Sequence, residues 1–201
     1  MVKQNYGVII FVEGDTEVEF YKFLIEWLKR HGYKSKTKGP VIIKNLHGIG
    51  GFKRIALRYY LNKILPKQVN TKFYVVLAYD TDVFEYSNQP PVNWKKVDKA
   101  FRAYGALDVI HVEQQYMIED WFLLDSKGLC KHLGLPLNTV VPAGKDANER
   151  MQRLFYKANK LYYKGHYTKR FLDELDIGLI YNKLKPELKP FVEILFNKKV
   201  N

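Results

Sequence analysis

Seven residues near the start of the chain, Tyr6 to Val12 (YGVIIFV), constrain its fold more than any other stretch. Val8, Ile9, Ile10, Phe11 and Val12 follow one another with no polar interruption. Strands with one wet face alternate. An unbroken apolar, β-branched run reads as a strand buried on both faces, as in a parallel sheet. Glu13-Gly14 ends it. Thr16 with Glu19 three residues later reads as a capping box that opens a helix. Phe20, Phe23, Leu24, Trp27 and Leu28 then recur at helical spacing, and Gly32 behind Lys29, Arg30 and His31 suits the helix end.

The same alternation continues. PVIIKNL at 40–46 reads as a second strand, followed by the flexible turn His47-Gly48-Ile49-Gly50-Gly51. Phe52 to Leu65 reads as a helix stopped by Pro66. Phe73 to Tyr79 is the third strand, and Pro90-Pro91 mark an irregular loop after Asp82. Trp94 to Tyr104 is a helix with Trp94, Val97 and Phe101 on one face, and Leu107 to Val112 a fourth strand. Strand and helix in strict alternation predict an α/β Rossmannoid layer: a mainly parallel central sheet flanked by helices. From there the pattern turns helical, over 118–124, 127–133, 147–161, 171–184 and 191–196. We read residues 1–125 as the core and 126–201 as a basic helical C-terminal extension packed on it.

Composition narrows the partners. The chain has 33 Lys and Arg against 21 Asp and Glu, a net charge of +12. Twelve basic residues and one acid lie between Lys22 and Lys67, and eight basic residues and two acids between Lys145 and Arg170. Such a balance favours a polyanion, because neutralised phosphates release counterions. No run of about 18 uncharged apolar residues marks a membrane span, and the first residues do not resemble a signal peptide. The single Cys130 allows neither an internal disulfide nor a cysteine-rich zinc site. A cytoplasmic protein is the expectation.

The acids then stand out. In open parallel sheets, ligands bind beyond the carboxyl ends of the strands. Glu13 follows the first strand, and Asp80 and Asp82 follow the third. Aspartates two apart in an extended chain point the same way. Glu17 lies one helical turn from Glu13, and Glu119 and Asp120 follow the fourth strand. Clustered carboxylates repel unless a cation or protons neutralise them. All-oxygen donors suit Mg²⁺ or Mn²⁺, as one ion or two. On a basic protein that combination points to phosphate chemistry.

Val12-Glu13-Gly14 with Glu17, and Tyr79-Asp80-Thr81-Asp82, resemble the two signature motifs of the TOPRIM fold. That fold is shared by topoisomerases, primases and nucleases of the OLD and RloB-like groups. Glu119-Asp120-Trp121 resembles the Glu-x-Trp segment of the small defence-associated branches, and Tyr163-Lys164-x-x-Tyr167-x-Lys169 more loosely resembles their tail. The resemblance covers about residues 6–125 well and the remainder weakly. It implies that Glu13 is an acid/base residue or metal ligand, that Asp80 and Asp82 are the main ligands, and that Glu17 and Glu119 complete a second metal site. It further implies a nuclease acting in phage defence beside a separate ATPase, since the chain has no Walker motif.

Several basic and aromatic residues are candidates for holding the substrate. Lys145 and Lys164 are candidates for stabilising charge at the scissile phosphate. Lys53, Arg54, Lys169, Arg170 and Tyr163 are candidates for gripping nucleic acid, and Tyr156, Tyr162 and Tyr167 sit among basic residues where aromatic rings stack on unpaired bases. Gly48, Gly50 and Gly51 resemble a phosphate-cradling loop but fit neither the Walker pattern nor the dinucleotide fingerprint, and His47 before them reads as a loop residue. The expectation is therefore a divalent-metal-dependent nuclease acting on DNA or RNA, tRNA included. Its rivals are a primase-like nucleotidyl transferase and a non-catalytic nucleic-acid-binding or regulatory module.

Overall fold

The computed structural model describes residues 6–82, 91–165 and 168–197. Most of the proline-bearing loop after Asp82, and Tyr167, lie outside them. Four strands form one sheet: β1 (Tyr6–Val12), β2 (Val41–Asn45), β3 (Lys72–Asp80) and β4 (Asp108–Gln114), in the order β2-β1-β3-β4. Every pairing in it is parallel, as the unbroken apolar character of β1 and β3 required. β1 and β3 are the central pair, and all but one residue of β1 is buried.

Helices cover both faces. On one face α1 (Asp15–Arg30) lays Phe20, Leu24 and Leu28 against Val8, Ile10, Val76 and Val112. On the other, Ile9, Phe11, Val75 and Leu77 meet Phe52, Tyr60 and Phe101. Successive residues of β1 thus feed opposite cores, as the two-residue period of a strand demands. The second face is built by α2, a helical segment of wide turns over Phe52–Ala56 and Tyr60–Ile64 joined through Leu57–Tyr59, and by α3 (Trp94–Ala103). Helices after β1 and β3 therefore leave the sheet on opposite sides. That divergence opens a crevice at the carboxyl ends of β1 and β3, where open α/β sheets bind ligands.

The remaining helices are α4 (Ile118–Leu123), α5 (Ser126–Leu133), α6 (Ala147–Lys157), α7 (Thr168–Leu172), α8 (Ile177–Lys183) and α9 (Lys185–Leu195). Leu188, Phe191 and Leu195 of α9 and Phe171 of α7 share one buried core with the α1 face of the sheet.

Some expected boundaries moved. The helix expected over 147–161 stops at Lys157, and Asn159 takes a positive φ of 53°. The segment 171–184 is broken into α7 and α8, because Asp176 caps a new helix by accepting the Leu179 amide. The last helix starts at Lys185 rather than 191, with a proline in its first turn where no donor is needed. The capping box read at Thr16 is not formed. Gly14 is the N-cap of α1, and the Thr16 hydroxyl accepts the Gly165 amide at 2.8 Å instead.

Candidate active site

Local geometry delivers Glu13 first. β1 ends at Val12, α1 begins at Asp15, and the two intervening residues turn the chain at the crevice. The Glu13 carboxylate accepts the Asp80 amide at 2.9 Å, joining the ends of β1 and β3. Asp80 is the last residue of β3 and pairs in register with Gln114 at the end of β4. Glu17 arrives from the first turn of α1 and Glu119 from the first turn of α4; both are fully buried.

Lys164 holds this group together. Its ammonium donates to Asp80 Oδ2 at 3.1 Å and lies 3.5 Å from Glu119 Oε2. The neighbouring Tyr162 hydroxyl donates to Glu119 Oε1 at 2.9 Å. The segment carrying both is pinned to α1 through the Gly165–Thr16 bond. Beside it, a cleft of about 330 Å³ is lined by Glu13, Glu17, Asn45, His47, Gly48 and Lys164. His47 holds a left-handed φ of 58°, and its amide donates to the side-chain oxygen of Asn45 at 2.7 Å. The Gly48 amide in turn donates to the Glu13 carbonyl at 2.8 Å.

The electrostatics follow from burial. Burial, then the Asp80 charge, raises the Glu13 carboxyl to about 7 from an ordinary 4.5. Burial likewise raises Glu17 and Asp80, although the Lys164 charge pulls both back. Burial pulls Lys164 down, but the charges of Asp80, Glu119 and Glu17 outweigh it and leave its ammonium firmly protonated. Tyr162 is held neutral by burial and by Glu119.

Both carboxylate oxygens of Glu17, Asp80 Oδ1 and Glu119 Oε2 are buried and accept no hydrogen bond among the described residues. Buried carboxylate oxygens are costly unless a cation or a proton meets them; Lys164 meets Glu119 Oε2, which leaves the Glu17 oxygens and Asp80 Oδ1. Hard oxygen donors match Mg²⁺ or Mn²⁺ in kind. In arrangement, no three His, Cys, Asp or Glu side chains among the described residues converge as a finished ligand set. Lys164 stands between Asp80 and Glu119 instead.

The other expected site residues distribute unevenly. Asp82 does not continue an extended chain from Asp80. Thr81 turns, its amide donating to the Gln114 and Tyr116 carbonyls, and the Asp82 amide also donates to Tyr116. Asp82 still raises Glu13 slightly, but it lines a neighbouring cleft of about 290 Å³ with Tyr116, Asp120, Lys145 and Arg150. Lys145 is thus beside Asp82 and apart from the Lys164 cluster. Lys53 and Arg54 lie exposed on α2, where Arg54 Nε donates to the Gly50 carbonyl. Lys169 lines a separate cleft between α1 and α7 with Lys22 and Trp27. Arg170 is exposed on α7 near His132. Tyr163 is exposed in a groove against α6.

Two residues went unread in the sequence. Gln114 is fully buried at the end of β4, opposite Asp80. Asn45 ends β2 and donates to Asp15 at 2.8 Å. Each is the polar last residue of its strand, as Asp80 is of β3, and that ending is the signal that would have found them. Tyr162 was read as a stacking residue; its ring is buried and its hydroxyl serves Glu119.

Comparison with protein-family models, with curated proteins and with solved structures gave no match. No helix among the described residues is long and apolar enough to cross a membrane.

Proposed function

We propose that the chain is a divalent-metal-dependent phosphodiesterase that cuts nucleic acid in the cytoplasm. One observation carries the reading: four carboxylates, three of them with buried oxygens that accept no hydrogen bond among the described residues, gather at the β1/β3 crevice of a protein whose net charge is +12. A solvated acidic patch needs no such burial. The donors for Mg²⁺ or Mn²⁺ would come from Glu17, Asp80 and Glu119, with Glu13 and Asp82 at the margin, in an arrangement other than the one seen, where Lys164 stands between Asp80 and Glu119. A bound ion would supply Lewis-acid polarisation of a phosphoryl oxygen and a low-pKa water.

The chain's own residues have separate tasks. Glu13, half protonated near pH 7, is placed to take up or release a proton at the crevice mouth. Lys164, held charged, is placed to offset negative charge gathering on a phosphate there. Tyr162 fixes the Glu119 carboxylate. The TOPRIM resemblance supports this reading through Glu13, Asp80 and Asp82. It also carries the proposals of a defence role and a partner ATPase.

The pairing of Lys164 with Asp80 and Glu119 favours one second reading: a nucleic-acid-binding module whose acids are structural. Labelled plasmid, single-stranded DNA and total tRNA, incubated with Mg²⁺, Mn²⁺ or EDTA, separate the two. We expect metal-dependent cutting that falls at least about a hundredfold in Glu13→Gln and Asp80→Asn. Tight, salt-sensitive binding without cutting under any metal would establish the binding module.

A further inference from the structure

Beyond Lys164 the same segment borders a surface that the carboxylate site does not use. Tyr156, Leu161 and Tyr163 are 75%, 67% and 57% exposed. With Arg153, Lys157 and Tyr162 they line a groove of about 670 Å³ along α6. Exposed large apolar side chains crowded in one groove mark a binding surface rather than ordinary surface scatter.

Charge selects the occupant. Arg153 and Lys157 line the groove against one acid, Glu149, and Arg150 stands one turn before them on α6. The groove therefore offers flat aromatic faces set within a positive field. Its acid, Glu149, is already paired with Arg153 at 2.6 Å. An apolar protein partner would find this rim unfavourable. A polyanion carrying flat rings would find both parts satisfied.

Position ties the groove to the acids. Tyr162 is the wall they share: its ring borders the groove and its hydroxyl holds Glu119. At the other end of α6, Arg150 lines the cleft that contains Asp82 and Lys145. Arg150, Arg153 and Lys157 recur at helical spacing, so basic side chains run along one side of α6 from one cleft to the other.

We infer that this groove binds an unpaired stretch of nucleic acid, with bases stacked on Tyr156 and Tyr163 and phosphates along Arg150 and Lys157. Duplex bases keep their faces covered by their neighbours, so a stacking groove takes single strands, loops or frayed ends. The inference rests on the proposed phosphodiester chemistry for the fate of the bound strand, and on the groove alone for its binding.

The test is fluorescence anisotropy in EDTA, using labelled twelve-nucleotide single-stranded RNA, single-stranded DNA and the matching duplex, over a range of KCl. Both single strands should bind at least about tenfold more tightly than the duplex. Tyr156→Ala should weaken single-strand binding by about tenfold, as loss of one stacked base does, and leave duplex binding unchanged. Tyr156→Phe should keep wild-type affinity, and Lys157→Ala should reduce the salt dependence by about one phosphate. A preference for RNA over DNA would identify contacts to the 2′-hydroxyl. Equal binding of duplex and single strand, or an undiminished Tyr156→Ala, overturns the groove. Cleavage by wild type beside an undiminished Tyr156→Ala would remove the groove and leave the phosphodiesterase. Tyr156-dependent binding without cleavage in any metal would do the reverse.

Discussion

At the scale of single residues, the site is a balance between buried anions and one ammonium. Lys164→Met keeps the apolar stem and removes the charge that pairs with Asp80 and Glu119. Breaking a fully buried pair costs about 3–5 kcal/mol. The Lys164 side chain is 43% exposed, so a loss of about 1–2 kcal/mol is expected at pH 8. At pH 5.5 the loss should shrink, because Glu13, Glu17 and Asp80, all raised, are then largely protonated. Thermal melts at both pH values read this out. An equal loss at each would mean that the loss does not come from pairing with these titrating carboxylates. Glu13 makes a related prediction for the metal-free wild type. Its folded carboxyl sits near 7 against an ordinary 4.5, so between those values the folded state holds a proton that the unfolded chain has released. Stability from this group is full below pH 4.5 and is lost as pH rises through 7, by on the order of 2–3 kcal/mol. The melting temperature should therefore fall across that window, and Glu13→Gln should flatten the fall.

At the scale of elements, the crevice depends on how closely the turn after β2 approaches α2. Gly51 lies at the start of α2, where an added Cβ would collide with the carbonyl oxygen of Leu46 and meet its Cβ at 2.6 Å. Leu46 itself is anchored, its amide donating to the Val12 carbonyl at 2.8 Å. Neither backbone can yield without moving the His47–Gly48 loop that lines the cleft. Gly51→Ala is expected to cost about 1–3 kcal/mol, read as a lower urea midpoint with an unchanged slope. Gly48 has no such neighbour but holds a φ of 99°, so Gly48→Ala is disfavoured by the backbone alone and should cost about 1 kcal/mol.

At the scale of the whole molecule, the C-terminal helices and the sheet share apolar surface. Phe191 on α9 is fully buried, and its ring packs against Tyr21 of α1 with centroids 5.2 Å apart. Tyr21 belongs to the same core as Val8 and Ile10 at the centre of the sheet. Phe191→Ala should then cost about 3–5 kcal/mol. Urea unfolding followed by far-ultraviolet circular dichroism and by tryptophan fluorescence should remain a single coincident transition at a lower midpoint. Separate transitions for the two signals would show that residues after α5 unfold on their own.

Much of this was legible before any fold was built. The unbroken apolar runs at Val8–Val12 and Phe73–Tyr79 specified buried parallel strands, because burial on both faces leaves no room for polar alternation. Alternating strands and helices specified the layered sheet, and the position of Glu13 and Asp80 after apolar runs placed them at one edge. These are local signals, carried by residues adjacent along the chain. What packing alone decided has no such signal. Tyr162 meets Glu119 across 43 residues, Lys164 meets Asp80 across 84, and Gly165 meets Thr16 across 149. The local reading of Thr16 as a helix cap gave way to the last of these, and the extended reading of Asp80-Thr81-Asp82 gave way to the turn onto Gln114 and Tyr116. A buried polar group takes whatever partner the closed fold brings within reach, since leaving it unmet costs more than any local preference it satisfies. Spacing along the chain therefore located the acids, and tertiary closure chose the cation that stands among them.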